Sequence, residues 1–391
     1  MKRESAGGKL PRPKRMAAGA CFIILALLAF VLLKPWPREA EWKPGMPLTK
    51  DRVKIGVIYM TDVTNETGGY TYAHDVGIMK AQEEIGLRDD QIIRKVDIFD
   101  TDIIAATHAI RECIAQGANI IIATTWGYMD ACEKLAAEYP DVIFAHATGN
   151  RSNDANFTNY FGRIYQARYL SGIAAGLRTG TNKIGYVAAM GKDNSEVTGG
   201  LNAFALGVEK VNKNARVHVR ITHRWYDPNG ELEAARLLIN QGCDVIAQHC
   251  DTPSPQLAAK EAGVWGIGYN IDMSPDAPDA VVTSVVWDWG VYYTWLIKSV
   301  IDGSFTTKPY YGGLKEGIVN LAPFSEHLLP AGASEAVIAE RKRIESGEFD
   351  VFDGPMETND GQIVGEEGGT LPDSVIQGQI NWYYRNVTEV R

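Results

Sequence analysis

Short apolar, β-rich runs alternate with amphipathic stretches of helical length from residue 53 onward, and this alternation constrains the fold more than any other feature. Strands are predicted at 53–60, 96–100, 119–125 and 142–147, and again at 183–189, 217–225, 244–249 and 266–271. Helical patterns lie between them, at 73–85, 103–116, 130–139, 198–211, 231–241 and 255–262. Such spacing indicates βαβ units and parallel sheets. The sequence therefore predicts an α/β protein with two similar lobes.

Aromatic and acidic residues directly follow several of the predicted strands. Trp126 follows one strand of the first series, while Trp225 and Asp251 follow two strands of the second. The carboxyl ends of parallel strands form the ligand crevice of open α/β sheets. Flat rings and hydrogen-bonding groups gathered there suit a planar, polar small molecule.

Each of these residues has a second interpretation. Tyr70, Trp126 and Trp225 either stack on a ligand ring or pack in the core. Asp251 and Asp272 either contact a ligand or cap the following helix, which is a common position for Asp. His249 shares a strand face with Asp251 and is either an acid–base group or a structural histidine.

The N-terminal region differs in character from the rest of the chain. Residues 1–15 are basic, residues 16–33 are uninterruptedly apolar, and residues 34–50 are rich in Pro and charge. Eighteen apolar residues lie within the range of about 17–25 that spans a bilayer. The sequence predicts a cytoplasmic segment, a membrane anchor and a tether, with the remainder outside the cytoplasm. A cleaved signal peptide is the alternative for residues 16–33.

Charge excludes nucleic acid as a partner. The formal net charge is −9, and residues 1–34 carry +6, so the exported part carries −15. An acidic domain without a basic stripe repels phosphate backbones.

No motif for a cofactor or metal is present. The sequence has no GxGxxG after the first strand, no GxxxxGK[ST], no HExxH, no EF-hand loop and no C-x-x-C. We expect no cofactor and no metal. The disulfide state of Cys113, Cys132, Cys243 and Cys250 is left open, although Cys243 and Cys250 are too far apart to pair if they lie at two ends of one strand. Burial as small hydrophobic side chains is the simplest interpretation.

Nine stretches together resemble the basic membrane protein family, the substrate-binding proteins of ABC importers related to the bacterial purine nucleoside receptor. They are GYTYAHDVG (69–77), TTWGYMD (124–130), FAHATGN (144–150), YVAAM (186–190), WYDP (225–228), QHCDTP (248–253), GYNIDM (268–273), GGLKEGIVNLAPF (312–324) and FDGP (352–355). The resemblance implies a type I periplasmic-binding-protein fold: two Rossmann-like lobes with parallel sheets, joined by three crossover strands around a cleft. Lobe I would comprise residues 51–149 and about 277–310. Lobe II would comprise 150–276 and about 311–391.

The resemblance also implies a ligand and its contacts. Tyr70 and Trp225 match positions where family members place rings against a purine, Trp126 lies in a pocket-lining segment, and Asp272 matches an acidic ligand contact. The chain departs from the nucleoside-binding pattern at 67–71, which reads TGGYT, at Trp287 in place of a Lys, and at Asn270 in place of an Asp. These departures favour a free base such as adenine over a nucleoside, with Asp251, Asn270 and Asp272 on its hydrogen-bonding edge.

The expected function is therefore purine capture for an ABC permease by a monomeric, membrane-anchored binding protein. A purine-sensing receptor is one alternative, which a neighbouring sensor-kinase gene would favour. A nucleosidase is another, with His249 and Asp251 as its only candidate groups, and product analysis would reveal it. A sugar-responsive repressor has the same fold but would begin with a DNA-reading helix-turn-helix.

Overall fold

The computed structural model describes residues 42–63 and 68–390, and the chain from Lys43 onward forms one compact unit. The predicted segments 1–15 and 16–33 lie outside the described residues. Within the described ranges, no helix is both long and apolar enough to cross a bilayer.

The carboxyl end of the predicted tether 34–50 is part of the folded unit. Leu48 is buried, and its N–H donates to the carbonyl of Val300 at 3.1 Å. An apolar side chain with a paired amide is held by the fold, so the residues just before the first strand are not an extended linker.

Strands and helices alternate through most of the chain. The strands are β1 (Ile55–Ile58), β2 (Ile92–Lys95), β3 (Ile120–Ala123), β4 (Ile143–Ala147), β5 (Phe157–Gly162), β6 (Lys183–Ala188), β7 (Arg216–Ile221), β8 (Val245–His249), β9 (Trp265–Asn270), β10 (Val281–Trp287), β11 (Tyr310–Gly312), β12 (Val319–Leu321), β13 (Met356–Glu357), β14 (Ile363–Val364) and β15 (Val387–Glu389). The helices are α1 (Gly69–Ile85), α2 (Ile103–Ala115), α3 (Met129–Glu138), α4 (Ile164–Arg178), α5 (Ser195–Val211), α6 (Pro228–Asn240), α7 (Ser254–Ala262), α8 (Trp289–Asp302), α9 (Ala333–Glu345) and α10 (Asp373–Ile376).

Two large sheets organise these elements. The first has the order β11-β5-β4-β3-β1-β2, and the second has the order β12-β10-β9-β8-β6-β7-β15. The pairs are parallel except for β10 with β12, which is antiparallel. The central strands β1, β3, β4 and β8 are buried throughout, as expected for parallel strands covered by helices on both faces.

The chain passes between the two sheets three times, after β5, β10 and β11. After the first passage α4 packs against α5, and after the second α8 packs against α1. This is the expected type I architecture, with two Rossmann-like lobes joined by three connections.

The positions of these passages differ from the expected lobe boundaries. Residues 157–162 form a strand of the first sheet, although residue 150 was the predicted start of lobe II. Residues 281–287 pair within the second sheet, although residue 277 was the predicted return to lobe I. In both cases the chain changes lobe after a strand rather than in the preceding turn-rich segment. That these lobes move as separate bodies stays a prediction.

The strand predicted at 96–100 is wrong. β2 lies at Ile92–Lys95, in register with β1 through the pair Ile55 and Ile92. Asp97 has a φ of +57°, a left-handed conformation that ends an extended strand. The isoleucine pair before this residue, rather than the Val96 run, enters the sheet.

The described cysteines are free and buried. Cys113 and Cys132 belong to the core of the first lobe, and Cys243 and Cys250 to that of the second. Burial raises the pKa of Cys113 to about 11 and that of Cys243 to about 12, so these thiols are packing groups.

Candidate functional site

A cavity of about 450 Å³ lies where the carboxyl ends of the two sheets face each other. The first lobe contributes Met60, Tyr70, Asp100, Thr125, Trp126, Thr148, Gly149, Phe161 and Gly162 to its lining, together with Tyr311 of β11. The second lobe contributes Ile164, Tyr165, Asp193, Asn194, Ser195, Glu196, Gly199, Gly200, Trp225, Asp251 and Tyr269, together with the C-terminal residues Ile376, Gln377 and Gly378. The volume falls in the range of about 300–1,000 Å³ typical of small-molecule pockets.

Tyr70 lines the cavity from the first turn of α1. Its ring meets His74 and Trp289 edge-on, with centroids 4.5 and 5.9 Å away. Its hydroxyl oxygen is buried without a hydrogen-bond partner among the described residues. Burial, followed by the nearby Tyr160, raises the pKa of Tyr70 well above its usual value. The hydroxyl is therefore neutral and can donate to a ligand.

Two tryptophans line the cavity from opposite lobes. Trp126 opens a short 3-10 turn after β3 and is 53% exposed. Trp225 follows β7 and meets His249 edge-on, with ring centroids 5.9 Å apart. An aromatic ring held by each lobe can sandwich a flat ligand when the lobes approach.

Asp251 lines the cavity, and Asn270 lies behind it. The Nδ2 of Asn270 donates to Oδ1 of Asp251 at 2.8 Å, and the N–H of Asp251 donates to the carbonyl of Trp225 at 2.9 Å. Asn270 is fully buried and is absent from the lining. The amide therefore orients the carboxylate instead of facing the cavity.

Asp272 and Trp287, also predicted as ligand contacts, are not among the lining residues. Asp272 accepts a hydrogen bond from the N–H of Ser274 at 2.9 Å within a turn, whereas its predicted alternative was to cap a helix. Trp287 is buried and stacks on Trp289, with ring centroids 4.4 Å apart, and its Nε1–H donates to the Tyr269 hydroxyl at 3.2 Å. Trp287 packs beside Phe161, so it supports the wall of the cavity.

Glu196 is a lining residue that the sequence analysis missed. It lies in the first turn of α5, which Asn194 caps by accepting from the N–H of Val197 at 3.0 Å. Burial raises the pKa of Glu196 to about 7, against the opposing effects of Arg168 and Tyr269. An acidic residue in a first helical turn is ordinary on a sequence basis, and only the fold reveals that this one faces a cavity.

A fully buried arginine lies beneath this wall. Arg168 of α4 donates from Nη1 to the carbonyl of Gln248 at 2.6 Å, and its guanidinium lies 4.0 Å from the Tyr269 ring centroid. Its Nε and Nη2 have no partner among the described residues. Burial, with Arg168 nearby, lowers the pKa of His249 well below its usual value, so His249 is neutral.

The charged residues of the lining are all acidic. They are Asp100, Asp193, Glu196 and Asp251, and no Lys, Arg or His belongs to the described lining. A phosphate group entering the cavity would meet carboxylates without a compensating cation. The site therefore suits an uncharged, hydrogen-bond-donating ligand.

Residues 53–348 match the family Bmp, described as "ABC transporter substrate-binding protein PnrA-like". The chain belongs to this family. A purine-binding protein of Brucella abortus is 33% identical over 345 residues, which cover 88% of this chain and 95% of the relative. An ABC transporter protein of Haloferax volcanii, whose name assigns it to glucose binding, is 35% identical over 311 residues, covering 79% of this chain and 76% of its own. In fold, the Bmp protein is similar to a solute-binding protein of an ABC transporter system from Conexibacter woesei, with a TM-score of 0.63, 22% identity and coverage of 76% and 98%.

Family membership excludes the enzyme alternative. Bmp proteins are solute-binding proteins rather than enzymes, so the nucleosidase interpretation of His249 and Asp251 is wrong. The structure supplies the physical reason, because His249 is fully buried and outside the lining. Membership also implies a small-molecule ligand, a permease partner and a role outside the cytoplasm.

Proposed function

We propose that this Bmp protein binds a purine in the cavity between its lobes, as a monomer anchored by residues 16–33, and delivers it to an ABC permease. The observation that carries the proposal is the pairing of aromatic walls from both lobes with acceptor groups and no cation. Tyr70 and Trp126 of one lobe oppose Trp225 and Tyr269 of the other. Stacking on aromatic side chains is worth about 1–3 kcal/mol per base.

A free base such as adenine is the preferred ligand over a nucleoside. Trp287 stands where the family resemblance implies a Lys in a nucleoside binder, and it packs against the wall. The described lining therefore lacks the cation that such a Lys would offer to ribose hydroxyls. A purine-binding relative at 33% identity supports the purine class.

A monosaccharide is the second candidate. The relative from Haloferax volcanii is named for glucose binding, and aromatic rings and carboxylates also suit a pyranose. The charge argument against phosphorylated ligands applies to both candidates.

Calorimetric titration of the purified protein with adenine, hypoxanthine, adenosine and glucose tests the proposal. We expect adenine or hypoxanthine to bind most tightly, adenosine more weakly and glucose not measurably. Tight glucose binding with no response to the bases would replace the purine by a sugar. Adenosine binding far more tightly than either base would overturn the preference for a base.

A further inference from the structure

Glu196 is an acidic residue of the cavity whose pKa is raised by burial. Its side chain is 22% exposed and lies on the second-lobe wall at the start of α5. Among the described residues, its carboxyl forms no ion pair with a Lys or Arg. The contact within ion-pair distance is His249 Nε2, 3.6 Å from Oε1, and that imidazole is neutral.

The groups that face Glu196 come from several elements. They are Arg168 of α4, His249 of β8 and Tyr269 of β9, with Tyr186, Tyr70 and Tyr311 also close enough for electrostatic coupling. Arg168 favours the ionised carboxylate and is the only charged group among them. Arg168 donates instead to the carbonyl of Gln248, and its guanidinium lies over the Tyr269 ring. Arg168 therefore does not pair directly with Glu196.

The balance between these effects favours the protonated form of Glu196. Removing the carboxylate from water raises its pKa more than Arg168 and Tyr269 lower it, to about 7. The positive end of α5 also favours ionisation, but such dipole effects are worth about 0.3–1 kcal/mol, less than one pKa unit. A protonated carboxyl carries both a donor and an acceptor, whereas a carboxylate only accepts.

We propose that Glu196 binds the ligand as a neutral carboxylic acid, donating its O–H to an acceptor atom of the ligand while its carbonyl oxygen accepts from the adjacent N–H. This inference rests on the proposed function and narrows its ligand class. The ligand must present an acceptor and a donor side by side, as the amidine edge of an aminopurine or the lactam edge of an oxopurine does. A sugar hydroxyl has no such requirement, since each hydroxyl can donate to an ionised carboxylate.

The proposal predicts proton-coupled binding. Because the neutral acid is the binding form, affinity should be constant at low pH and fall as Glu196 ionises. Above pH 7 the fall approaches about tenfold per pH unit. The protein should also take up close to one proton per ligand at pH 8.

The experiment is calorimetric titration of the full-length protein with adenine from pH 5.5 to 8.5, a range in which adenine itself stays neutral. Titrations at pH 8 in two buffers of different ionisation enthalpy count the protons taken up. In Glu196→Gln, an amide replaces the neutral acid with one donor and one acceptor. This variant should bind adenine within about tenfold of the wild type at pH 6, with a flat pH profile and no proton uptake.

Asp276→Asn is the matched control. Burial, followed by Asp272, also raises the pKa of Asp276, but Asp276 is outside the cavity lining. This variant should keep the pH dependence of the wild type.

Wild-type adenine binding that is tight and independent of pH, without proton uptake, would overturn the role of Glu196 and leave the proposed function standing. Retained pH dependence in Glu196→Gln would also overturn it. Absence of binding by any purine at every pH would overturn the proposed function and this inference together. The proton count on the wild type does not depend on whether the variant folds.

Discussion

Trp225 is one of the aromatic rings that line the cavity, and its contribution to ligand affinity can be tested by a single substitution. It lines the second-lobe wall, and its carbonyl accepts the N–H of Asp251. Replacement by Ala removes one stacking face, which is worth about 1–3 kcal/mol. We expect Trp225→Ala to weaken adenine binding by about tenfold or more in calorimetry.

A second tryptophan provides the control for this variant. Trp295 of α8 is exposed and lies outside the lining, so Trp295→Ala should keep the wild-type affinity. Equal affinity in the Trp225 variant and the wild type would remove this ring from the binding site.

Asn270 combines an unusual backbone conformation with a buried hydrogen bond. Its φ is +70°, a region that Asn and Gly tolerate and that costs other residues about 1–2 kcal/mol. Replacement by Gly removes the bond to Asp251, while replacement by Ala removes the bond and adds strain. In urea unfolding, we expect the free energy of unfolding to decrease from wild type to Asn270→Gly to Asn270→Ala. An alanine variant more stable than the glycine variant would contradict this reasoning.

The structure places Tyr70, Trp126, Trp225 and Asp251 in the cavity lining, and their contact with ligand stays a prediction. Trp126, Trp225 and Asp251 could be found from sequence because strand ends converge in parallel sheets, and Tyr70 could be found because of the family resemblance. Asn270 ends β9 and Asp272 follows it, yet Asn270 supports a neighbouring side chain and Asp272 supports a turn. Sequence order does not distinguish a side chain that faces the cleft from one that holds such a side chain in place. Glu196 was missed because it lies in a helix rather than at a strand end. It faces a cavity that exists only once the two lobes are brought together.

At the level of elements, the short helix α10 connects the C-terminal segment to a lobe passage. Arg163, which follows β5, donates from Nη1 and Nη2 to the two carboxylate oxygens of Asp373, with Nη2 at 2.7 Å from Oδ2. The segment just after this contact, Ile376–Gly378, lines the cavity. It lies beyond the family match, which ends at residue 348. The ion pair therefore helps to hold this part of the cavity wall.

Asp373→Ala should loosen that wall more than it destabilises the fold. Partly exposed ion pairs contribute about 0–1 kcal/mol, so we expect a small change in the melting temperature. Amide hydrogen exchange at 373–378 should become faster, and the adenine dissociation rate should rise a few-fold. Asp90→Ala, which breaks an exposed pair with Arg88, is the control. Unchanged exchange at 373–378 would show that other contacts hold the segment.

The alternation of apolar runs and amphipathic stretches predicted buried strands such as β1 and β3 and helices with a polar face such as α2 and α6. It missed α4, in which only two residues at the carboxyl end are not buried. A helix buried on nearly every face has no amphipathic stripe, and IYQARYLSGIAAGLR accordingly has no polar face to mark it. Sequence patterns also did not reveal where the chain changes lobe. A strand that precedes a passage between lobes has the same residue pattern as any other strand.

At the level of the whole molecule, the two lobes meet at Gly69 and Asp251. Gly69 has a φ of +79°, and a Cβ added there would lie 2.9 Å from the carbonyl oxygen of Asp251. Gly69→Ala should therefore oppose the approach of α1 to the second lobe. We expect weaker adenine binding and, in small-angle X-ray scattering, a smaller ligand-induced decrease of the radius of gyration than in the wild type.

Gly263→Ala separates this steric effect from backbone strain. Gly263 has a φ of +67°, but nothing lies within 4 Å of an added Cβ. This variant should lose stability yet keep the wild-type scattering response to ligand. If both alanine variants responded like the wild type, contact at Gly69 would not limit the approach of the lobes.

The three passages between the sheets also bear on how such genes can be rearranged. Because the chain changes lobe after β5, β10 and β11, each lobe is encoded by separate stretches of the gene. A single recombination event between two relatives would mix parts of both lobes, and exchanging one complete lobe requires three junctions. A crossover at the first passage would therefore separate the wall carrying Tyr70 from the wall carrying Glu196 and Trp225. We expect natural chimaeras that exchange one complete lobe to have junctions at all three passages.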